Sequence, residues 1–251
     1  MRGLDLHVIG IGKERAQASA RRLLAFRQWS ARDQLLLLGF AGGVDPALKS
    51  GDLVLSSRYY RADGVITPPS PPFSRGGMVR VPPLEKGGLG GVSPLAIEQQ
   101  DFLEPDSNMW RQAIEVASEV GLSVSQGSSL TVDQVVATPE AKKAAYSQCQ
   151  VSTVNMEDYW IAEVAAEAGV PFLAVRAVLD PAHQGLPSYL MGLSERPSQI
   201  VHSTLTRPWR ATVLLSLAQQ ARVAQDRLTR FSLAFIDHQL SARDGQPTDS
   251  R

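Results

Sequence analysis

The chain has 251 residues, enough for one large α/β domain or two small ones and for a substantial core. Its 25 basic and 25 acidic residues cancel, so no excess charge draws it to phosphate backbones or anionic lipid, and nucleic acid is not an expected partner. The single Cys149 excludes an intrachain disulfide and a cysteine-based metal site, and the four histidines lack zinc-ligand spacing, so no metal is expected.

Neither a signal-peptide core in MRGLDLHVIG nor a run near the roughly 18 apolar residues of a membrane span is present. A cytoplasmic chain with no stable membrane insertion is expected. Residues 4–11 are a short apolar run ending in Gly10-Ile11-Gly12, and residues 13–26 carry Ala16, Ala20, Leu23 and Leu24 at helical spacing. This reads as strand, glycine turn and helix. Residues 35–38 are uninterruptedly apolar, as in a strand covered on both faces, and open into a glycine turn, Gly39-Phe40-Ala41-Gly42-Gly43. Another strand, residues 53–56, follows the Lys49-Ser50-Gly51-Asp52 turn.

From 67 to 91 the composition turns to proline and glycine, and Pro-Pro-x-x-basic-Gly-Gly occurs at 71–77 and again at 82–88. Such a low-complexity insert buries too little apolar surface to offset the entropy of ordering it, so a mobile surface loop is expected. A proline-rich ligand for a partner is the alternative, although neither repeat has a strict PxxP core.

Ser107 reads as a helix N-cap, with Trp110, Ala113, Ile114, Ala117 and Val120 on one face and Gly121 as the stop. Residues 122–136 alternate and turn, 139–146 read as a short helix, and 151–154 as a strand. Residues 157–168 form an alanine-rich helix stopped by Gly169, and 172–179 are a second strongly buried strand. Pro208 opens a long helix to about Phe235, with Trp209, Val213, Leu217, Val223 and Leu228 among its apolar positions, and 241–251 read as a polar, frayed tail. Strands alternating with helices imply a largely parallel sheet whose ligands bind beyond the carboxyl ends of the strands. Gly39 to Gly43, Asn155-Met156-Glu157 and Asp180-Pro181 fall at those ends.

The run LLLLGFAGGVDPALKSGDLVLSSRYY resembles the glycine segment of purine nucleoside phosphorylases and methylthioadenosine nucleosidases, and VNMEDYWIAEVAAEAGVPFLAVRAVLD resembles their Met-Glu helix and the strand ending in aspartate. Within that superfamily the likeness is greatest to hopanoid-associated phosphorylases, which share the DPALKSGDLV-like stretch and a long C-terminal helix. The resemblance implies an α/β fold with a mixed, largely parallel central sheet flanked by helices. Residues 1–240 would form one such domain carrying the 67–91 insert. It implies cleavage of a purine N-glycosidic bond in an adenosine-like nucleoside, with adenosyl hopane as one candidate. No cofactor is implied beyond inorganic phosphate as co-substrate, and a homo-oligomer is expected.

By the same resemblance, Asp180 protonates N7 of the leaving base, Glu157 accepts hydrogen bonds from the ribose hydroxyls and Met156 packs on the sugar. Asp180 read alone could equally be a turn residue before Pro181, and Glu157 an ordinary first-turn acid. Leu179 stands where relatives commonly place a serine. Gly42 and Gly43 either make a strand-to-helix turn needing positive backbone angles or let the Phe40 and Ala41 backbone approach the ligand, with Phe40 lying against base or sugar. Residues 131–136, with Asp133, Val135 and Val136, should form the purine pocket, and Arg176, on the same strand as Asp180 and facing the same side, should organise the site. His183 reads as a solvated loop residue.

Relatives carry a strand and loop ahead of the segment like LHVIGIGKERA, so the expected sheet lacks its first strand, and phosphorolysis and hydrolysis both stay open. A non-catalytic nucleoside-binding or scaffold protein is the competing reading. A dinucleotide fold around Gly10-Ile11-Gly12 is disfavoured because the third glycine is missing and Ala16 falls one place late.

Overall fold

A computed structural model describes residues 4–26, 29–30, 33–62, 102–187 and 209–244, with side chains of the last helix from 215 onward. The insert at 67–91 and Pro208 lie outside the described residues. In chain order the elements are α1 (Lys13–Ala25), β1 (Leu35–Gly43), β2 (Leu53–Arg61), α2 (Ser107–Glu119), β3 (Val124–Thr131), α3 (Pro139–Cys149), β4 (Thr153–Asn155), α4 (Asp158–Glu167), β5 (Phe172–Asp180) and α5 (Trp209–Asp244).

The strands join in the order β1-β4-β3-β2-β5, and β5 pairs back onto β1 to close a barrel. Pairings β1/β5, β2/β3 and β3/β4 are parallel, whereas β1/β4 and β2/β5 are antiparallel. The α/β class and mixed sheet therefore match expectation, but the sheet closes into a barrel and two of its five pairings are antiparallel, where a largely parallel sheet was expected. Of these two, Leu53–Leu55 against Val175–Ala177 is the wider.

Helices cover the barrel in three apolar groups. Leu53 and Leu55 of β2 and Leu173, Val175 and Ala177 of β5 pack on Met109, Ala113 and Val116 of α2 and Phe231 and Phe235 of α5. The alternate residues Phe172 and Ala174 face Ala16 and Ala20 of α1 and Ile161, Val164 and Ala165 of α4. Both faces of β5 are thus buried, which is why its sequence shows no polar alternation. Val151 and Val154 pack with Leu130, Ala141 and Ala145 in a third group under α3.

Several local expectations need correction. Residues 4–10 carry no strand, and Leu6 and Val8 are 89% and 95% exposed, because no neighbouring strand supplies a ladder for them. The N-cap of α2 is Asp106, whose side chain accepts from the Asn108 and Met109 N–H groups, and not Ser107. Helix α3 runs on to Cys149, and α5 runs to Asp244, so residues 241–244 of the expected tail are helical.

The glycine segment differs most. Gly39, Gly42 and Gly43 lie within β1, Gly39 and Gly42 paired to β5 and Gly42 and Gly43 to β4, and none has a positive φ. They are a strand, not a turn. What these positions require is space: a Cβ on Gly39 would overlap the Arg176 guanidinium, and one on Gly43 would come within 2.9 Å of Val178.

Candidate active site

The carboxyl ends of β1, β3, β4 and β5 meet around a small cavity. Val132, Val135, Val136, Val154 and Leu186 supply apolar walls, Met156 and Gly42 line it further, and Asn155 and Asp180 are its polar members. Asp180 arrives there through an irregularity in the ladder. Ala41 pairs with Val178 but Gly42 pairs with Asp180, so Leu179 has no partner on β1 and the strand is re-aimed at its last residue. Gly42 lines the same cavity, and a Cβ there would come within 3.1 Å of the Val154 side chain.

Asp180 is buried and held by Lys142, whose Nζ donates to Oδ2 at 2.5 Å. Burial pushes the Asp180 carboxyl above the usual carboxylate range, and the Lys142 ammonium pulls it part of the way back.

Beside the cavity lies a second polar group. Asn155 Oδ1 accepts from the Glu157 N–H (3.0 Å), the Asp158 N–H (2.8 Å) and Thr131 Oγ1 (3.1 Å), which fixes the entry into α4. The Tyr159 N–H donates to Thr131 Oγ1 at 2.9 Å. Asp158 is fully buried and bound by Arg176, whose Nε donates to Oδ1 at 2.7 Å, with Nη2 bonded to the same oxygen. Arg176 Nη2 also reaches Glu157 Oε2 at 3.2 Å, and Nη1 reaches the Phe40 carbonyl at 3.3 Å. Burial raises the Glu157 carboxyl above its usual range; Arg176 opposes the rise and the Asp158 charge adds to it. Glu157 also accepts from the backbone N–H groups of Met156 and Gly12, and it stands next to the cavity-lining Asn155 and Met156.

Of the residues picked out from sequence, Gly42, Val135, Val136, Met156 and Asp180 line the cavity together. Glu157, Arg176 and the Phe40 carbonyl join beside it, whereas the Phe40 side chain is exposed. Ala41 is buried in the strand, and Gly43 packs on Val178. Asp133 is exposed and outside the lining, its place taken by Val132, and His183 is exposed. Sequence reasoning missed Lys142 and Asp158. Asp158 follows Glu157 directly and could have been weighed as a second acid, but Lys142 beside the exposed Lys143 carries no sign of burial in its own letters.

A 5′-methylthioadenosine/S-adenosylhomocysteine nucleosidase of Marinomonas sp. (strain MWYL1) is 28% identical over 200 residues, covering 78% of each chain. One from Haemophilus influenzae (strain 86-028NP) is 33% identical over 185 residues, 71% of this chain and 69% of that protein. The fold is similar to the native structure of futalosine hydrolase of Helicobacter pylori strain 26695, with a TM-score of 0.59 at 21% identity over 91% of this chain and 76% of that one. The 5′-methylthioadenosine/S-adenosylhomocysteine nucleosidase of Neisseria meningitidis also gives 0.59, at 19% identity over 91% and 78% of the two chains. Residues 6–199 match the phosphorylase superfamily, and the chain belongs to it.

Proposed function

We propose that the chain hydrolyses the N-glycosidic bond of an adenosine-like nucleoside and releases adenine. The observation that carries this reading is a buried Asp180 at one wall of an apolar cavity, its carboxyl raised by burial, with Met156 in the lining and Glu157 next to it in sequence. Nucleosidases among its relatives favour water over phosphate as the attacking group, and the 5′-thio nucleosides in their names define the substrate class.

The chemistry follows from what each group can do. The valine walls take the flat base out of water, and Glu157 accepts the ribose hydroxyls, with Arg176 setting its orientation. As the C1′–N9 bond breaks, its electron pair goes to the base, and Asp180 gives its proton to N7 so that a neutral base leaves. Water adds to C1′ and its released proton restores Asp180.

Phosphorolysis of adenosyl hopane is the second reading, carried by the Asp45-Pro46-Ala47-Leu48-Lys49-Ser50-Gly51-Asp52-Leu53-Val54 stretch shared with hopanoid-associated phosphorylases. Adenine release from 5′-methylthioadenosine, followed by chromatography with and without phosphate, tests both. Release independent of phosphate is expected, and Asp180→Asn should slow it by about 10²- to 10⁴-fold. Equal rates in Asp180→Asn would remove the general acid from this account. Binding of adenosine without release under either condition would favour a nucleoside-binding protein.

A further inference from the structure

Lys142 is 0% exposed, a placement lysine almost never takes without a partner. It sits in α3, away in sequence from every segment that builds the cavity walls on β1, β4 and β5. Its Nζ donates to Asp180 Oδ2 at 2.5 Å and to the carbonyl oxygens of Asp180 (3.0 Å), Pro181 (3.0 Å) and Gln184 (2.8 Å). The carbonyl contacts alone would make it a staple for the turn after β5. The contact to Oδ2 is different in kind, because it fixes a carboxyl group that lines the cavity.

We propose that Lys142 is the positioning residue of Asp180: it holds the carboxyl towards the cavity and stabilises the carboxylate formed when the Asp180 proton passes to the leaving base. This rests on the reading of Asp180 as the general acid. The proton balance is simple. Asp180 starts as the acid and ends as the carboxylate, N7 gains the proton, the Lys142 ammonium keeps all of its own, and the proton released by the attacking water returns to Asp180. The stabilisation therefore grows as the bond breaks, which is where an interaction accelerates a reaction. Around the carboxyl, β1 presents Gly42 and β4 presents Val154, while the turn after β5 brings the Pro181 carbonyl to the same Lys142 ammonium. Lys142 is the one charged side chain acting on Asp180 among the described residues. It draws the carboxyl down against burial, so its removal must move the Asp180 titration to higher pH.

The test uses the full chain with Lys142→Met and Lys142→Gln. Asp180 carboxyl titration is followed by carbon NMR, assigned by its loss in Asp180→Asn, and adenine release from 5′-methylthioadenosine is measured across pH. In both variants the Asp180 titration should move up, and the alkaline limb of the rate profile should move with it. At the optimum kcat should fall by about 10- to 100-fold, short of the full general-acid contribution, with KM changed far less. An unmoved Asp180 titration overturns the proposal, as does a uniform loss of rate with an unshifted limb, which is what a mere turn staple would produce. Should neither variant fold, the Lys142 Nζ nitrogen resonance of the unmutated chain decides: it must shift as Asp180 titrates, and a constant signal overturns the proposal. If the unmutated chain releases no base, the enzymatic reading fails, while the two titrations still show whether Lys142 governs the carboxyl.

Discussion

Arg176 and Asp158 form a buried ion pair in which Nε donates to Oδ1 at 2.7 Å and the second nitrogen, Nη2, bonds to the same oxygen. Asn155 Nδ2 donates to the other carboxylate oxygen at 2.8 Å, so Asp158 is satisfied on both sides. Glu157 holds Arg176 only by one contact of 3.2 Å. The arginine is thus neutralised mainly by Asp158.

Breaking such a pair leaves an uncompensated buried charge, so Asp158→Ala should lower the unfolding free energy by about 3–5 kcal/mol. Urea denaturation measures it. The charge of Asp158 also raises the Glu157 carboxyl, so in Asp158→Asn the Glu157 titration should move down. A loss under about 1 kcal/mol would show that Glu157 takes over the pairing.

Glu157 itself gives a prediction with a definite sign. Its folded carboxyl is raised by burial, so the folded chain binds the proton more tightly than the unfolded one. Its stability contribution is present below the ordinary glutamate range and is lost as pH rises through the raised folded value. Glu157→Gln, which cannot ionise, should therefore melt higher than the unmutated chain at neutral pH, with the difference vanishing in acid. The same variant should bind adenosine far more weakly while binding adenine nearly as before, as calorimetry would measure. An equal loss for both ligands would place Glu157 against the base instead of the sugar.

The legible parts of the chain were those whose physics is local. The apolar run at 35–38 and the helix faces of α1 and α2 followed from spacing, and Met156, Glu157 and Asp180 from motif resemblance. Gly39 and its neighbours misled because glycine is ambiguous: a turn wants its positive φ, whereas here a strand wants its small volume next to Arg176. Lys142 could not be read because its partner is 38 residues away and only the fold brings them together. The apolar alternation of Leu4, Leu6 and Val8 looked like a strand, yet a strand exists only where a neighbour completes its hydrogen bonds.

Gly39 offers a direct check on the strand reading. A methyl group there would overlap Arg176 Nη1, so Gly39→Ala must push the guanidinium away from Glu157 and Asp158. Overpacking of this kind costs about 1–3 kcal/mol, and the displaced charge adds to that. The variant should melt lower and bind adenosine more weakly, and its loss should not add to that of Arg176→Met in the double variant, because the methyl group then has no guanidinium to displace. A glycine needed only for a flexible turn would give losses that simply add.

The pair formed by Lys142 and Asp180 makes the last prediction, about stability. Asp180→Asn keeps the shape of the carboxyl but leaves a fully buried ammonium facing only carbonyl oxygens and an amide. Lys142→Met leaves a buried carboxyl that burial already drives towards its neutral form. Each single change should therefore destabilise, and Asp180→Asn the more, because a carboxyl can take up a proton to escape the cost whereas the ammonium must lose one. In the double variant Lys142→Met/Asp180→Asn no unpaired charge is left, so the two losses should not add. A coupling of about 0.5–3 kcal/mol is the expected size for side chains in contact. Urea unfolding of the four proteins at neutral pH and again in acid measures it, and the coupling should shrink in acid as Asp180 is protonated in the parent chain. If the losses simply add at both pH values, the lysine and the aspartate act independently, and the contact between them does nothing to hold the acid in place.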